Sequence, residues 1–337
     1  MKNKLFGLTI LGLAVTIGFP LEKRFAGPAT SAGAQYKRPK DVPYPKSNPY
    51  SRAKWALGQT LFFDNLLSDR RNISCASCHN PNLGWSNNLK TSHGSTGSEI
   101  ALKTPSLLNN AWLDFLGWDG KYAGLEAVTF GPITGAANMN LSATRLIGRL
   151  ENSGHYRTAF AGAFPDRKIN KTNIEMALAT FERGIVSGIA PFDRFVQGDA
   201  KAISPAAQRG FAIFNGRGHC AQCHSGWAFT DGSFQDIGLP DTHNIGRGRY
   251  FQTSLKLKYA FKVPTLRDVA THAPYMHDGS LATLDDVVGF YNSGGIARPS
   301  QSVVIKPLGL NEAERHDLVA FLNSLSSVPH DASAKNP

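Results

Sequence analysis

The sequence predicts a mostly α-helical protein with two small domains and long connecting loops. Three observations favour this fold class: apolar residues recur near helical spacing in several segments, strand-like alternation is scarce, and a short motif of Cys and His occurs once in each half of the chain. The 337 residues suffice for about two domains of ~100–200 residues each. We therefore expect two helical cores, one built around each copy of the motif.

Local signals place the helices in order along the chain. Ser204 is a predicted N-cap followed by Pro205 at the first helical position, and Thr283 forms a capping box with Asp286. Asn311 is the predicted cap of the last helix. The predicted helices span residues 51–63, 75–79, 142–151, 172–186, 206–214, 283–294 and 312–325.

The repeated motif is Cys-x-x-Cys-His, at Cys75–His79 and again at Cys220–His224, and together the two copies use all four cysteines. This pentapeptide is typical of c-type haem attachment. Two thiols one helical turn apart form thioethers to the vinyl groups of one porphyrin, and the adjacent histidine binds the iron. The predicted attachment residues and iron ligands are Cys75, Cys78, Cys220, Cys223, His79 and His224.

Other readings of the cysteines fit less well. A zinc site of this type has its two halves ~15–20 residues apart, whereas here they lie in opposite halves of the chain. A thioredoxin-like redox motif needs a βαβ context, which the sequence does not predict. Two structural disulfides in an oxidising compartment are the remaining alternative. We predict two covalently bound haems c, and hence a mostly α fold with two cytochrome c-like haem domains and long connecting loops.

Further similarities between the halves indicate an internal duplication of a small haem-binding unit. Gly58 in the first predicted helix corresponds to Gly210 in the helix before the second motif. The run Trp85-Ser86-Asn87 corresponds to Phe229-Thr230-Asp231. We place the domains at residues 35–196 and 197–330, with an inter-domain hinge at 187–203.

The N-terminus has the pattern of a secretory signal peptide, predicted at residues 1–34. Lys2 and Lys4 form a positive end, and the apolar stretch 5–19 is shorter than the ~20 residues that span a bilayer. An uncleaved anchor is the alternative, because basic residues precede the small-residue cleavage site. Export fits covalent haem, so we predict a periplasmic protein. The formal net charge is +11, or +8 without residues 1–34, and this modest basic balance is compatible with an acidic partner. No basic cluster with interleaved aromatics stands out in the sequence, so no nucleic acid is expected to bind.

From about Ala56 to Leu325 the chain resembles the bacterial di-haem cytochrome c peroxidase / MauG family. The segments that carry the resemblance are 61–64, 75–79, 104–109, 118–120, 131–133, 220–224, 261–267 and 273–279. The resemblance implies that hydrogen peroxide reacts at the haem bound by His79. Electrons are expected to come through the haem bound by His224. The donor implied is a small redox protein, either a cytochrome c or a cupredoxin, whereas in the MauG branch a protein substrate is oxidised.

The resemblance also implies roles for individual residues. Trp118 matches the tryptophan that lies between the haems and relays electrons. Tyr291 falls where peroxidases have a methionine ligand to the second haem iron and MauG has a tyrosine. A phenolate stabilises oxidised iron, so this ligand lowers the potential. Met276 is the rival ligand, because methionine commonly binds haem iron, although its position does not match.

Several positions depart from the peroxidase pattern. The distal pocket is predicted to contain Met139, but the residue before it is Asn138, where peroxidases have a glutamate that moves a proton between the peroxide oxygens. A peroxidase glutamine is replaced by Val128, and Glu126 is the candidate substitute for the missing acid. The distal histidine position holds Ser95, so we expect this face of the first haem to be open unless His93 binds after a loop shift.

Lys103 stands where the family has a calcium-binding asparagine. We therefore expect its ammonium group to replace calcium, with the carbonyls of His272 and Pro274 as acceptors. The predicted function is that of a periplasmic di-haem oxidoreductase that reduces hydrogen peroxide, nearer to MauG in its haem ligation. The alternatives are a di-haem electron carrier or redox sensor without efficient turnover, and MauG-like oxidation of side chains in a partner protein.

Overall fold

The computed structural model describes residues 33–240 and 243–327. The predicted signal peptide lies almost wholly outside these residues. No helix within the described ranges is long and apolar enough to cross a membrane.

Helices dominate the described residues, as predicted, and the strands are two residues long. The α-helices are α1 Arg52–Phe63, α2 Cys75–Cys78, α3 Leu125–Val128, α4 Phe130–Thr134, α5 Ala143–Glu151, α6 Gly154–Ala163, α7 Lys171–Arg183, α8 Pro191–Val196, α9 Pro205–Asn215, α10 Leu284–Ser293 and α11 Glu312–Asn323. The strands form three antiparallel pairs: β1 Ser92–His93 with β2 Glu99–Ile100, β3 Phe115–Leu116 with β4 Tyr122–Ala123, and β5 Phe234–Gln235 with β6 Phe261–Lys262. Short 3-10 helices lie at Ala34–Tyr36, Asn65–Leu67, Pro81–Leu83, Asn110–Trp112, Cys220–Gln222, Arg247–Arg249, Leu255–Leu257 and Val269–Thr271.

The predicted helix caps are present where side chains act within one turn. The Ser204 hydroxyl accepts the N–H of Ala207 at 3.1 Å, and Pro205 opens α9. Thr283 and Asp286 form the capping box of α10. The side chain of Asn311 caps α11. These caps satisfy N–H groups that have no partner inside the helix.

Two predicted segments differ from the structure. The helix predicted to reach residue 186 ends at Arg183, because Ile185 and Ser187 form hydrogen bonds to Asn109, a residue distant in sequence. The predicted hinge contains α8, whose Phe192 is fully buried. Both differences come from long-range contacts that local patterns do not report. Helix α6 was not predicted either, although Ser153 caps it.

The buried apolar side chains form two main clusters. The first lies among α1, α5, α6 and α7, and the partly buried Cys75 and Trp85 pack against it. The second lies among α8, α9, α10 and α11, with Cys220 packed against it. Tyr36 and Phe192, which belong to the range 35–196 by sequence, pack into this second cluster.

Each cluster is built on two helices that cross at a glycine. A Cβ atom on Gly58 of α1 would lie 2.0 Å from the carbonyl oxygen of Ala177 in α7. A Cβ atom on Gly210 of α9 would lie 2.0 Å from the carbonyl oxygen of Asp317 in α11. Only glycine permits such close backbone contact. The correspondence of the two glycines in sequence therefore reflects the same helix crossing in both halves.

Candidate haem sites

The first Cys-x-x-Cys-His motif forms a single helical turn. Helix α2 carries Cys75 and Cys78, both free thiols, and the N–H of Ser74 donates to the Ser77 hydroxyl at 3.0 Å. Nδ1 of His79 donates to the carbonyl oxygen of Trp85 at 3.2 Å. Because Nδ1 is engaged, Nε2 is the nitrogen left for an iron ion.

The second motif has the same arrangement. It lies on the 3-10 turn Cys220–Gln222, and Nδ1 of His224 donates to the carbonyl oxygen of Phe229 at 2.9 Å. Trp85 and Phe229 both adopt left-handed backbone conformations, with φ of 57° and 54°. The same turn therefore presents a carbonyl to the histidine in both halves of the chain.

Both histidines are held as neutral imidazoles. Burial lowers the pKa of His79 to about 4 and also lowers the pKa of His224. A neutral imidazole is the form that binds a metal ion. The free thiol pairs and the available Nε2 atoms thus fit a covalently bound haem at each motif.

A second repeat, Lys-x-Pro-Ser/Thr-Leu, supports the two histidines. It occurs at residues 103–107 and again at 262–266. The Ser106 hydroxyl donates to the carbonyl oxygen of Gly84 at 2.6 Å, and the Thr265 hydroxyl donates to that of Ala228 at 2.6 Å. Each hydroxyl thereby holds the turn just before the carbonyl that orients the histidine. This repeat is a sequence signal that the cysteine motif alone does not reveal.

Trp118 is held between the two copies of this repeat. Its indole N–H donates to the carbonyl oxygen of Lys103 at 2.7 Å. Its own carbonyl oxygen accepts the N–H of Lys262 at 2.7 Å. Its ring lies 6.4 Å from that of His277, centroid to centroid, in an edge-on arrangement. Main-chain groups of the two haem-binding units therefore hold Trp118 between them, one through its indole and the other through its carbonyl.

One cavity is shared by the two units, and a second adjoins it. Lys103 and Trp118 line the first cavity from one side, and His224 lines it from the other. Tyr291 and Met276 both line this shared cavity. Tyr291 also lines the adjoining cavity, together with Cys220, Cys223 and His224, and Met276 does not.

Tyr291 lies on α10 in a setting that suits a metal ligand. Burial, together with the nearby Cys220 and Cys223 thiols, raises the pKa of its phenol. A buried phenolate therefore needs a compensating positive charge, which a ferric ion would supply.

Lys262 adds a charge that fits the same cofactor. Its side chain is buried, and desolvation lowers its pKa to about 8. It lines the shared cavity, and no carboxylate or carbonyl among the described residues accepts from its ammonium group. A buried cation without a partner is costly. A haem propionate would provide the missing anion, so Lys262 is a candidate anchor for the second haem.

The predicted distal residues lie against the first core. Met139 is buried in the first cluster, and the carbonyl oxygen of the half-buried Asn138 accepts the N–H of Ser95 at 2.7 Å. Ser95 is buried, whereas His93 is exposed on β1 opposite Glu99. In this conformation His93 faces solvent, which favours the expectation of an open distal face.

Glu126 is engaged elsewhere and does not replace the missing acid. Its carboxylate accepts two hydrogen bonds of 2.7 Å from Arg183 and one of 2.8 Å from Asn48. Burial alone would raise the pKa of Glu126, but these hydrogen bonds and the Arg183 charge lower it below its usual value. Glu126 is therefore ionised at neutral pH and unable to donate a proton.

Lys103 is buried, as expected for a group that takes the place of a bound cation, but its predicted acceptors are wrong. The ammonium donates to the carbonyl oxygens of Asn87 at 2.8 Å and Leu89 at 3.4 Å, instead of those of His272 and Pro274. The side chain is thus directed to the 87–89 loop within its own unit. An ammonium at this place does not fit a calcium ion, since two cations would repel each other.

This arrangement predicts that the wild-type protein needs no calcium. EDTA should leave its melting temperature and haem spectrum unchanged. Lys103→Asn should lose about 1.5–3 kcal/mol, the usual value of charge-assisted hydrogen bonds, and should regain it when calcium is added. Thermal unfolding and metal analysis check this. Lys90→Asn, at an exposed lysine nearby, is the matched control. A loss of wild-type stability in EDTA would contradict the prediction.

Comparisons with known proteins agree with this geometry. Residues 52–201 match the family described as di-haem cytochrome c peroxidase, and residues 207–326 match cytochrome c. The chain is 46% identical over 298 residues to methylamine utilization protein MauG of Methylorubrum extorquens, covering 88% of this chain and 84% of that protein. It is 36% identical over 317 residues to cytochrome-c peroxidase IdrP1 of Denitromonas iodatirespirans, covering 85% and 84%. A solved MauG-like protein associated with microbial copper homeostasis superposes with a TM-score of 0.80 at 30% identity, covering 86% of this chain and 95% of that one.

Proposed function

Because this chain belongs to the di-haem cytochrome c peroxidase and MauG family, we propose that Trp118 relays electrons between its haems and that Tyr291 and His224 ligate the second haem. The predicted family is confirmed, as is the mostly α fold with cytochrome c-like haem domains. The chain is an oxidoreductase that acts on hydrogen peroxide and carries two covalently bound haems c. The haems supply the redox chemistry. We propose that His224 and Tyr291 hold the second haem, that Trp118 passes electrons, and that Asn138 replaces a proton-transferring group.

The observation that carries the proposal is that Trp118 forms hydrogen bonds to both haem-binding units. Hydrogen bonds of 2.7 Å join Trp118 to Lys103 on one side and to Lys262 on the other. Each lysine begins the segment that supports the histidine of its own unit. Trp118 thus forms a hydrogen-bonded link between the two histidine supports, through its indole to Lys103 and through its carbonyl to Lys262. It is therefore suited to pass electrons between them.

Tyr291 supports the proposal that this protein is nearer to the MauG branch of the family in its haem ligation. It lines both cavities around His224, and its phenol lies near the thiols of the second motif. Axial ligands tune haem potentials over about 0.8 V, and an anionic oxygen ligand favours the oxidised metal. The second haem is accordingly expected to have a low potential.

Replacement of Tyr291 tests this ligation. Tyr291→Met should raise the midpoint potential of the second haem by on the order of hundreds of millivolts, because a thioether favours reduced iron. Tyr291→Phe should leave that iron without its second ligand. EPR of the ferric protein and spectroelectrochemistry report both changes. Met276→Leu is the matched control and should leave the second haem unchanged. The assignment is wrong if Met276→Leu alters the EPR signal of that haem and Tyr291→Phe does not.

The distal side favours a second candidate function. Asn138 lacks the proton-transferring carboxyl group of peroxidases, Val128 lacks their hydrogen-bonding amide, and the carboxylate of Glu126 is bound to Arg183. The turnover of peroxide with small redox donors is then expected to be slow. MauG-like oxidation of side chains in a partner protein is the alternative that the relatives named MauG favour. A di-haem carrier or sensor is the other alternative.

We further propose that the protein works in the periplasm, exported by residues 1–34, with haem domains at 35–196 and 197–330. Proteins with covalently bound haem c are completed outside the cytoplasm. N-terminal sequencing of the protein purified from the periplasm tests the cleavage site.

A further inference from the structure

Large apolar side chains are exposed together beside the residues that follow Trp118. Among the described residues, ten large apolar side chains are exposed, and four of them are Phe115, Tyr250, Phe251 and Leu255, at 39–57%. Arg247 joins them: its guanidinium carbon lies 4.7 Å from the ring centroid of Phe115 and 5.3 Å from that of Phe251. Exposed apolar patches of this kind mark interaction sites.

Basic side chains surround these apolar groups. Lys121, Arg249, Lys256 and Lys258 are exposed, and residues 243–267 contain no Asp or Glu. We call the apolar and basic residues at positions 115, 121, 247, 249–251 and 255–258 the aromatic–basic patch.

The carboxylates beside the patch do not cancel its charge. Asp119 accepts a hydrogen bond of 3.1 Å from the Tyr250 hydroxyl and lies 3.5 Å from the Arg249 guanidinium. Asp114 and Asp231 are exposed along the groove beyond Phe115 and bound the patch on that side. The five basic side chains of the patch, at positions 121, 247, 249, 256 and 258, outnumber these three carboxylates, so the face keeps a net positive charge that favours anionic surfaces.

The patch lies directly over the electron-transfer residues. Arg247 donates to the carbonyl oxygens of Asp119 at 3.2 Å and Gly120 at 3.1 Å, the two residues that follow Trp118. Its guanidinium carbon also lies 4.0 Å from the ring centroid of Phe234, and Phe234 on β5 pairs with Lys262 on β6. Lys262 lines the cavity of the second haem. Arg247 thus joins the patch to the residues that follow Trp118 and to the strand pair that carries Lys262.

We propose that the aromatic–basic patch is the docking surface for a small redox protein with an acidic surface, which delivers electrons to the second haem. This rests on the proposed function and names the partner by its chemistry. Aromatic and arginine side chains are enriched in protein interfaces, and complementary charge accelerates association. Each hydrogen peroxide takes two electrons and two protons and yields two water molecules, so two reduced donor molecules are oxidised per turnover.

Charge reversal in the patch tests the proposal. The holoprotein with Lys256→Glu and Lys258→Glu is compared with one carrying Lys168→Glu and Lys201→Glu, which makes the same charge change at exposed sites on other segments. The probe is a small monohaem cytochrome c with an acidic surface, and a basic one serves as counterpart. At low ionic strength, kcat/KM for the acidic cytochrome should fall about tenfold or more in the patch variant and within about twofold in the control. Turnover with a small uncharged artificial donor should not change.

A direct measurement of binding tests the docking surface independently of peroxide turnover, and so independently of the proposed function. Calorimetry with the zinc-substituted acidic cytochrome needs no turnover, and its affinity should fall about tenfold in the patch variant and weaken with added salt. If the protein shows no peroxide turnover with any donor, the proposed function fails, and the binding result still decides the docking surface. Equal affinity of the two double variants would overturn the proposal. So would tighter binding of the basic cytochrome, or wild-type binding of a single-stranded oligonucleotide as strong as that of the acidic cytochrome.

Discussion

Asn138→Glu is expected to raise peroxide turnover by about 10²–10⁴-fold, the usual contribution of general acid–base catalysis. An amide donates a hydrogen bond but cannot take and return a proton at neutral pH, whereas a carboxylate does both. Asn138 is half-buried and precedes the buried Met139. The resemblance to the family assigns this position to the glutamate that transfers a proton in peroxidases. The measurement is kcat/KM for hydrogen peroxide with a reduced small-molecule donor.

Two control variants isolate the proton-transfer effect. Asn138→Gln has nearly the same size as the glutamate variant but no acid, and it should stay at the wild-type rate. Ala136→Glu adds the same charge at an exposed position two residues away, and its rate of peroxide turnover should also equal that of the wild type. If Asn138→Glu gains nothing and the ferric protein binds no cyanide, the carrier or sensor function is favoured instead.

Trp118→Phe is expected to slow peroxide reduction on the order of 100-fold, equivalent to about 2.7 kcal/mol in the barrier. The substitution removes the indole and its hydrogen bond to Lys103, whereas the main-chain hydrogen bond to Lys262 is kept and the aromatic ring largely preserves the packing. The lost indole hydrogen bond should cost only about 1 kcal/mol of stability. Stopped-flow measurement of electron redistribution after half-reduction gives the rate directly.

Trp112→Phe is the matched control, since Trp112 lies in the neighbouring groove and packs edge-on against Trp227, with ring centroids 4.7 Å apart. It should leave the rate between the haems unchanged. Both variants should keep the midpoint potentials of the two haems. A Trp118→Phe protein with the wild-type rate of electron redistribution would remove Trp118 from the relay.

The local features of both sites were accessible from the sequence. A Cys-x-x-Cys-His turn needs five consecutive residues, and the caps at Ser204, Thr283 and Asn311 act within one helical turn. The equivalence of Gly58 and Gly210 was also visible, because a duplicated unit keeps its glycine where the helices cross.

Interactions between segments distant in sequence were harder to predict from the sequence. The position of Lys103 suggested an internal cation, but its acceptors at Asn87 and Leu89 depend on how a loop folds back. The end of α7 depends on Asn109, and the engagement of Glu126 depends on Arg183. Each contact joins residues that no local pattern connects.

The sequence by itself determined the mostly helical fold, the number of haem-binding motifs and the residues predicted to attach each haem, because these follow from composition and from short, local patterns. Only the tertiary structure decided that Trp118 is held by two equivalent segments, that the buried Lys262 lines the shared cavity with no carboxylate or carbonyl acceptor among the described residues, and that the aromatic–basic patch lies above both. The physical reason is that hydrogen bonding and burial depend on contacts between groups distant in sequence. Those contacts are set by the packing of whole helices and loops.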